Sequence, residues 1–221
     1  MKKILCSLIA STLAVTSLMA TPQAIVFDFG GVLTGEPNRE AVVSFICQSF
    51  GFSAEEFETL NQEKRLAIKQ GKTDEEFWLS YAKQKEIDLP TDWTGSLRSV
   101  MKEAIGVNLD MYALVDELKE KQIPVGLLSN IDARLAKLIR GFSLYEPFEP
   151  CLLSCEIGME KPDPKIYELL IKKLNLPANE IVFIDDKPEN VQAAKEVGLD
   201  AIVFESQSQL RAELNARGVW E

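Results

Sequence analysis

Histidine is absent from all 221 residues. That removes the Ser-His-Asp triad, the Cys-His dyad, the phosphohistidine intermediate and every His-containing zinc site. Proton transfer must use carboxylates, Lys, Tyr, Cys or water. Cysteine is scarce. Cys6, Cys47, Cys151 and Cys155 form no C-x-x-C pair, and none has an Arg six positions on, as a phosphate-cradling thiolate loop requires. A structural zinc site and a cysteine phosphatase are both disfavoured. Positive charge is short as well, with 24 Lys and Arg against 34 Asp and Glu, a net charge of −10 and no basic run. No nucleic-acid partner is expected, and an anionic small substrate would need strong local positive charge, such as a metal. The hydrophobic fraction of 46% and charged fraction of 26% exclude disorder and multi-span membrane architecture, and suit one core or a core plus a small subdomain.

The first twenty residues differ from the rest. Lys2 and Lys3 precede an apolar stretch, Ile4 to Ala20, that ends in Leu18-Met19-Ala20 before Thr21-Pro22. These are the three parts of a secretory signal peptide, with cleavage expected after Ala20 and export, periplasmic or secreted, as the consequence. The stretch is short and carries Ser7, Ser11, Thr12, Thr16 and Ser17, so no stable membrane span is expected in the mature chain. If the peptide is not removed, a cytoplasmic location is the alternative. Removal would take out Cys6 and leave an odd number of cysteines. Cys151 and Cys155 lie in a stretch that reads as extended, where a rise of about 3.3 Å per residue sets their Cα atoms roughly 13 Å apart, too far for a disulfide.

Five short runs rich in Val, Ile, Leu and Phe recur: Ala24–Phe29, Ile123–Leu128, Cys151–Cys155, Ile181–Ile184 and Ala201–Phe204. Uninterrupted apolar runs of this length suit strands buried on both faces of a parallel sheet. Helices are predicted between the later runs, over Asp132–Ile139, Pro164–Leu174 and Glu189–Val197, the last two opened by Asp163-Pro164 and Pro188. The alternation predicts an α/β fold with a parallel sheet. The segment 30–122, between the first and second runs, far exceeds a plain crossover. It reads as helices over Arg39–Phe50, Ala54–Gln70, Asp74–Glu86, Leu97–Ile105 and Leu109–Lys121. The first four are expected to form a helical cap and the last to return to the sheet. Residues 21–37 and 108–221 then make the core, and residues 38–107 the cap. Gly71-Lys72-Thr73 imitates a Walker A loop, but Leu66 stands where its first Gly belongs and no strand precedes it.

Polar residues close four of these strands or the loops after them: Asp28, Ser129-Asn130, Lys161 and Asp185-Asp186. Ligands of open parallel sheets bind at the carboxyl ends of the strands, so these groups can converge. Singly, each could cap the next helix, as Asp132 and Asp163 are also placed to do. Two adjacent carboxylates exceed what a cap needs, and with Asp28 they offer hard oxygen ligands for Mg²⁺.

Four segments in order, Asp28-Phe29-Gly30-Gly31-Val32, Ser129-Asn130, Lys161 within Gly158-Met159-Glu160-Lys161-Pro162-Asp163-Pro164, and Ile184-Asp185-Asp186-Lys187-Pro188-Glu189-Asn190, resemble the haloacid dehalogenase-like superfamily. The resemblance covers roughly residues 24–205 and implies a Rossmann-like core of five parallel strands with an inserted helical cap. It implies Asp28 as nucleophile, forming an aspartyl-phosphate that water hydrolyses, and Ser129 and Lys161 as catalytic groups that, with Asn130, bind the phosphoryl group. Mg²⁺ would be held by Asp28, the Gly30 carbonyl and Asp186, with Asp185 assisting.

The chain departs from the pattern at Gly30, where most phosphatases of the superfamily carry a second Asp as general acid and base. A donor from the cap, nearby Thr34, Glu36 or Arg39, a bound water, or a substrate whose leaving group needs little protonation could make up the loss. The expected activity is a Mg²⁺-dependent phosphomonoesterase acting on a small phosphorylated metabolite such as a sugar phosphate. Two alternatives are a catalytically silent binding or regulatory protein of the same fold and a 2-haloacid dehalogenase, the latter disfavoured by Asp185-Asp186. Phe77, Trp78 and Trp93 could line a cap pocket, although such spacing more often packs a helical core.

Overall fold

The computed structural model describes residues 21–220, so the expected signal peptide over residues 1–20 lies outside the described residues. The chain runs β1 (Ala24–Phe27), α1 (Arg39–Phe50), α2 (Ala54–Lys69), α3 (Asp74–Gln84), α4 (Trp93–Ala104), α5 (Leu109–Glu120), β2 (Val125–Ser129), α6 (Ala133–Arg140), β3 (Cys151–Leu153), α7 (Ser154–Ile157), α8 (Pro164–Leu174), β4 (Ile181–Asp185), α9 (Pro188–Glu196), β5 (Asp200–Val203) and α10 (Gln207–Asn215). The strands form one sheet in the order β3-β2-β1-β4-β5, with every pair parallel.

Both faces of the sheet are covered, which is why the strands are apolar in continuous runs between their ends rather than alternating. Ile25 and Phe27 of β1, with Val182 and Ile184 of β4, pack on one side against Met111, Leu114 and Leu118 of α5 and Leu210 and Leu214 of α10. Ala24 and Val26, with Ile181 and Phe183, pack on the other against Ile166, Tyr167 and Leu170 of α8 and Val191 and Ala194 of α9. Burial of this kind contributes about 25 cal/mol per Å² of apolar surface removed from water. β1, at the centre of the sheet, and its neighbours β2 and β4 are buried along their whole length.

The helices α1–α4 surround a third apolar cluster of their own: Ile46, Phe50, Phe57, Trp78, Ala82, Trp93 and Leu97. Phe50 lies 5.3 Å from Trp78 and 5.6 Å from Trp93, centroid to centroid. Trp78 and Trp93 therefore pack this cluster, and Phe77 packs against it. Starts are set locally: the Asn38 side chain caps α1, and capping boxes Ser53/Glu56 and Thr73/Glu76 open α2 and α3. Thr73 is thus the cap of a helix. Where the insert joins the sheet, the two crossing segments are pinned together by Gly35 N–H to Gly106 O, Asn38 N–H to Ala104 O and Asn108 N–H to Leu33 O at 2.8–2.9 Å.

No helix is predicted from sequence at α7 or α10, several ends shift by one or two residues, and two elements differ for a reason the packing shows. α4 starts at Trp93 rather than Leu97. Gly95 weakens the helical pattern of that turn, but Trp93 is buried and its Nε1 donates to Ser49 Oγ at 2.8 Å, so packing overrides propensity. The stretch Cys151–Cys155 is not one strand. β3 ends at Leu153, and Ser154 turns the chain into α7 as its hydroxyl bonds both Ile131 N–H (2.9 Å) and Ile131 O (3.2 Å). The extended-chain distance between Cys151 and Cys155 therefore does not apply, although both, with Cys47, are free thiols.

Candidate active site

β1, β2 and β4 lie side by side, and their register brings three polar residues to one end. Phe27 faces Leu127 on one side and Ile184 on the other, so Asp28, Ser129 and Asp185 emerge together at the carboxyl edge. Ser129 and Asp185 are the last residues of their strands rather than the first of a loop, which fixes their backbones by sheet hydrogen bonds.

Lys161 reaches this edge from the loop between α7 and α8. Its Nζ lies 2.8 Å from Asp28 Oδ1 and 2.6 Å from Asp185 Oδ2, and its side chain is 1% exposed. A lysine this buried is tolerated only because both partners are charged and well placed. Asp28 Oδ1 also accepts the Phe29 N–H at 2.7 Å, while Oδ2 has no hydrogen-bond partner among the described residues. Asp185 is fully buried, and its oxygens accept from Lys161 Nζ, the Lys187 N–H (2.9 Å) and Asn190 Nδ2 (3.0 Å to each). Behind it, the Tyr167 hydroxyl donates to Asn190 O at 2.9 Å.

Asn130 and Lys161 are joined by two hydrogen bonds. Asn130 Nδ2 donates to Lys161 O at 2.8 Å, and the Lys161 N–H donates to Asn130 Oδ1 at 2.9 Å. The side chain expected to meet phosphate is committed to orienting the lysine loop. Of the caps considered from sequence, Asp132 and Asp163 do cap α6 and α8, whereas neither Asp185 nor Asp186 caps α9.

Asp28, Asp185 and Asp186 each present a carboxylate oxygen within 4.8 Å of the others. Three carboxylates against one lysine leave an excess of negative charge. Burial pushes the Asp28 carboxyl above its ordinary value; Lys161 pulls it back in part and Asp185 adds to the rise. Asp186 is also raised, by burial and then by Asp185. Asp186 Oδ1 is a buried oxygen with no partner. A dense set of hard oxygen donors with an unsatisfied member and uncompensated charge fits a hard divalent cation. Gly31 is part of the arrangement: its φ is +76°, and a Cβ there would lie 2.5 Å from Asp186 Cγ. Only glycine allows that approach.

Gly30 is different, since a Cβ at that position would meet nothing within 4 Å and its φ is not left-handed. Of the substitutes considered for a missing acid, Thr34 is buried and its hydroxyl donates to Phe29 O at 3.4 Å. Glu36 and Arg39 are exposed where the insert begins. Asn190 and Tyr167 were not singled out from sequence. The signal for Asn190 was its place as the last residue of the fourth segment, on the first turn of the helix after Asp185-Asp186.

Comparison with known proteins finds phosphatases and hydrolases among the relatives. A 29% identical relative, the sesquiterpene phosphatase astK of Aspergillus oryzae, aligns over 184 residues, 82% of this chain and 89% of its own length. Enolase-phosphatase E1 of Aquifex aeolicus is 36% identical over 96 residues, 42% of this chain, and the match spans less than half, 43%, of that protein. A haloacid dehalogenase family enzyme of Bacteroides thetaiotaomicron, solved in complex with magnesium and inorganic phosphate, superposes with a TM-score of 0.51 at 25% identity, covering 85% of this chain and 98% of the other. The profile of the haloacid dehalogenase-like hydrolases matches residues 22–198, most of the chain, and the chain belongs to that family.

Proposed function

We propose that the protein is a Mg²⁺-dependent phosphomonoesterase for a small phosphorylated metabolite, working through an aspartyl-phosphate on Asp28. The observation that carries this reading is Lys161 held between Asp28 and Asp185 beside the unpartnered oxygen of Asp186. Asp28, Asp186 and the Gly30 carbonyl would hold the ion, with Asp185 assisting. When bound, it would offset the charge of the phosphate and of the carboxylate that approaches it.

Asp28 is oriented for attack. Lys161 and the Phe29 N–H fix Oδ1, leaving Oδ2 to approach phosphorus in line with the departing ester oxygen. Lys161 also places positive charge where negative charge gathers, and the Ser129 hydroxyl is available to a phosphoryl oxygen. Asn130 acts through Lys161 by holding its backbone. Helices α1–α4, within residues 38–107, would serve as a cap that excludes water and selects the substrate. The phosphatase relatives support the reaction class, and the enzyme crystallised with magnesium and phosphate supports the cofactor.

Gly30 favours the second reading, a silent binding protein. Against it stands the presence of Asp28, Ser129, Lys161, Asp185 and Asp186 together, the full set that aspartyl-phosphate chemistry would use. Phosphate release from sugar, nucleoside and aryl phosphates, measured with Mg²⁺, with EDTA and with Asp28→Asn, tests the proposal. Turnover that needs both the metal and Asp28 supports it. Turnover indifferent to either overturns the mechanism, and a folded protein inactive on every substrate favours the silent reading.

A further inference from the structure

Among the described residues, the polar side chains around Asp28 other than Ser129 and Asp186, the expected phosphoryl and metal contacts, are each engaged elsewhere or sealed from solvent. The chain has no histidine. Lys161 Nζ is committed to two carboxylates, and both oxygens of Asp185 are hydrogen-bonded. Among the described residues, the acidic cluster contains Asp28, Asp185 and Asp186 and no fourth carboxylate. The Thr34 hydroxyl donates to Phe29 O. Tyr145, whose ring lies 5.2 Å from that of Phe29, has its hydroxyl sealed from solvent, and burial keeps it protonated. Packing does not impose the glycine at position 30: there is open space where its Cβ would stand, in contrast to Gly31 pressed against Asp186.

Resting on the phosphomonoesterase reading, we propose that this site accepts phosphate esters whose leaving oxygen departs without a proton, and that the phosphorylated Asp28 then accumulates. In the first step, Asp28 Oδ2 bonds to phosphorus as the P–O ester bond breaks. The electron pair leaves on the ester oxygen, which takes its proton from solvent. Aryl, enol, acyl and anomeric sugar phosphates have oxygens weakly basic enough for this, whereas simple alkyl phosphates do not. In the second step, a water oxygen bonds to phosphorus, the pair of the P–Oδ2 bond returns to the carboxylate, and the water proton goes to solvent. Any group that assists departure in the first step is the group that would deprotonate water in the second, so its absence burdens both. A reactive substrate relieves only the first. Hydrolysis of the aspartyl-phosphate then limits turnover.

Rapid mixing of the full-length protein with 4-nitrophenyl phosphate at saturating Mg²⁺ tests this, with intact-mass analysis of acid-quenched enzyme as a second readout. The expected result is a burst of about one 4-nitrophenol per protein, a phosphorylated steady state, and alkyl phosphates turned over about 10²-fold or more slower without a burst. Gly30→Asp places a carboxyl in the open space; it should abolish the burst and bring alkyl and aryl esters closer together. Product release linear from the first turnover, or alkyl esters hydrolysed as fast as aryl esters, overturns the inference while leaving the phosphomonoesterase reading intact. Absence of any turnover dependent on Mg²⁺ and Asp28 defeats both. The wild-type burst decides the matter even if the variant does not fold.

Discussion

Asn130 and Lys161, 31 residues apart, exchange two hydrogen bonds through the Asn130 amide and the Lys161 backbone, and this pairing aims the lysine ammonium at Asp28. Asn130→Ala removes both bonds, costing about 1–3 kcal/mol for the backbone groups left unpaired. It should lower kcat about 10-fold or more with a smaller change in KM. Asn130→Asp keeps the acceptor for the Lys161 N–H and should recover part of the loss. Steady-state kinetics of the two variants, with urea denaturation as the control for folding, checks this, and an unchanged kcat in Asn130→Ala would show that the loop holds itself.

Lys161→Met leaves Asp28 and Asp185 buried without their shared cation. Removing one partner of a buried pair costs about 3–5 kcal/mol. The pH dependence has a definite sign. Asp28 already stands above its ordinary value, and losing Lys161 removes the pull that lowers it. A carboxyl whose folded pKa exceeds its unfolded value costs stability when ionised, and that cost disappears as pH falls through the folded pKa. The variant should therefore be weakest relative to wild type near pH 8 and recover towards pH 5. Denaturation in EDTA at the two pH values measures this, and a pH-independent gap would argue against it.

Metal should stabilise the fold. Asp186 Oδ1 has no partner and its carboxyl is raised by burial and by Asp185, so a divalent ion relieves an existing strain. At 100 times its Kd, a bound ion adds about 2.7 kcal/mol. Thermal melts with and without Mg²⁺ should show a higher Tm with the ion. Asp186→Asn should be at least as stable as wild type in EDTA and should lose the Mg²⁺ response. A full Mg²⁺ shift in that variant would move the ion elsewhere.

Thiol reactivity should separate the two cysteines around β3. Burial pushes the Cys151 thiol up to about 11, whereas Cys155 is exposed on α7. The thiolate is the reactive form, so alkylation at pH 8 should modify Cys155 well before Cys151. Peptide mapping of a labelling time course reads the order directly, and equal rates would contradict the burial of Cys151.

Much of this protein was legible in its sequence because the controlling interactions are local. Apolar runs located the five strands, and helical periodicity, with Asp163-Pro164 and Pro188 at two of the starts, located most helices, since these signals act within a few residues. The start of α4 and the end of β3 escaped because distant partners decide them: Ser49 holds Trp93, and Ile131 turns the chain at Ser154. The order of the four segments likewise brought Asp28, Ser129, Lys161 and the Asp185-Asp186 pair into view. Tertiary structure alone decided what each side chain does there. It shared Lys161 between Asp28 and Asp185, tied the Asn130 side chain to the Lys161 backbone, and placed Asn190 and Tyr167 behind Asp185. It also separated two adjacent glycines, one locked by the approach of Asp186 and the other facing open space. These outcomes depend on contacts between residues far apart in the chain, whose geometry is set only when the sheet and its flanking helices close around them.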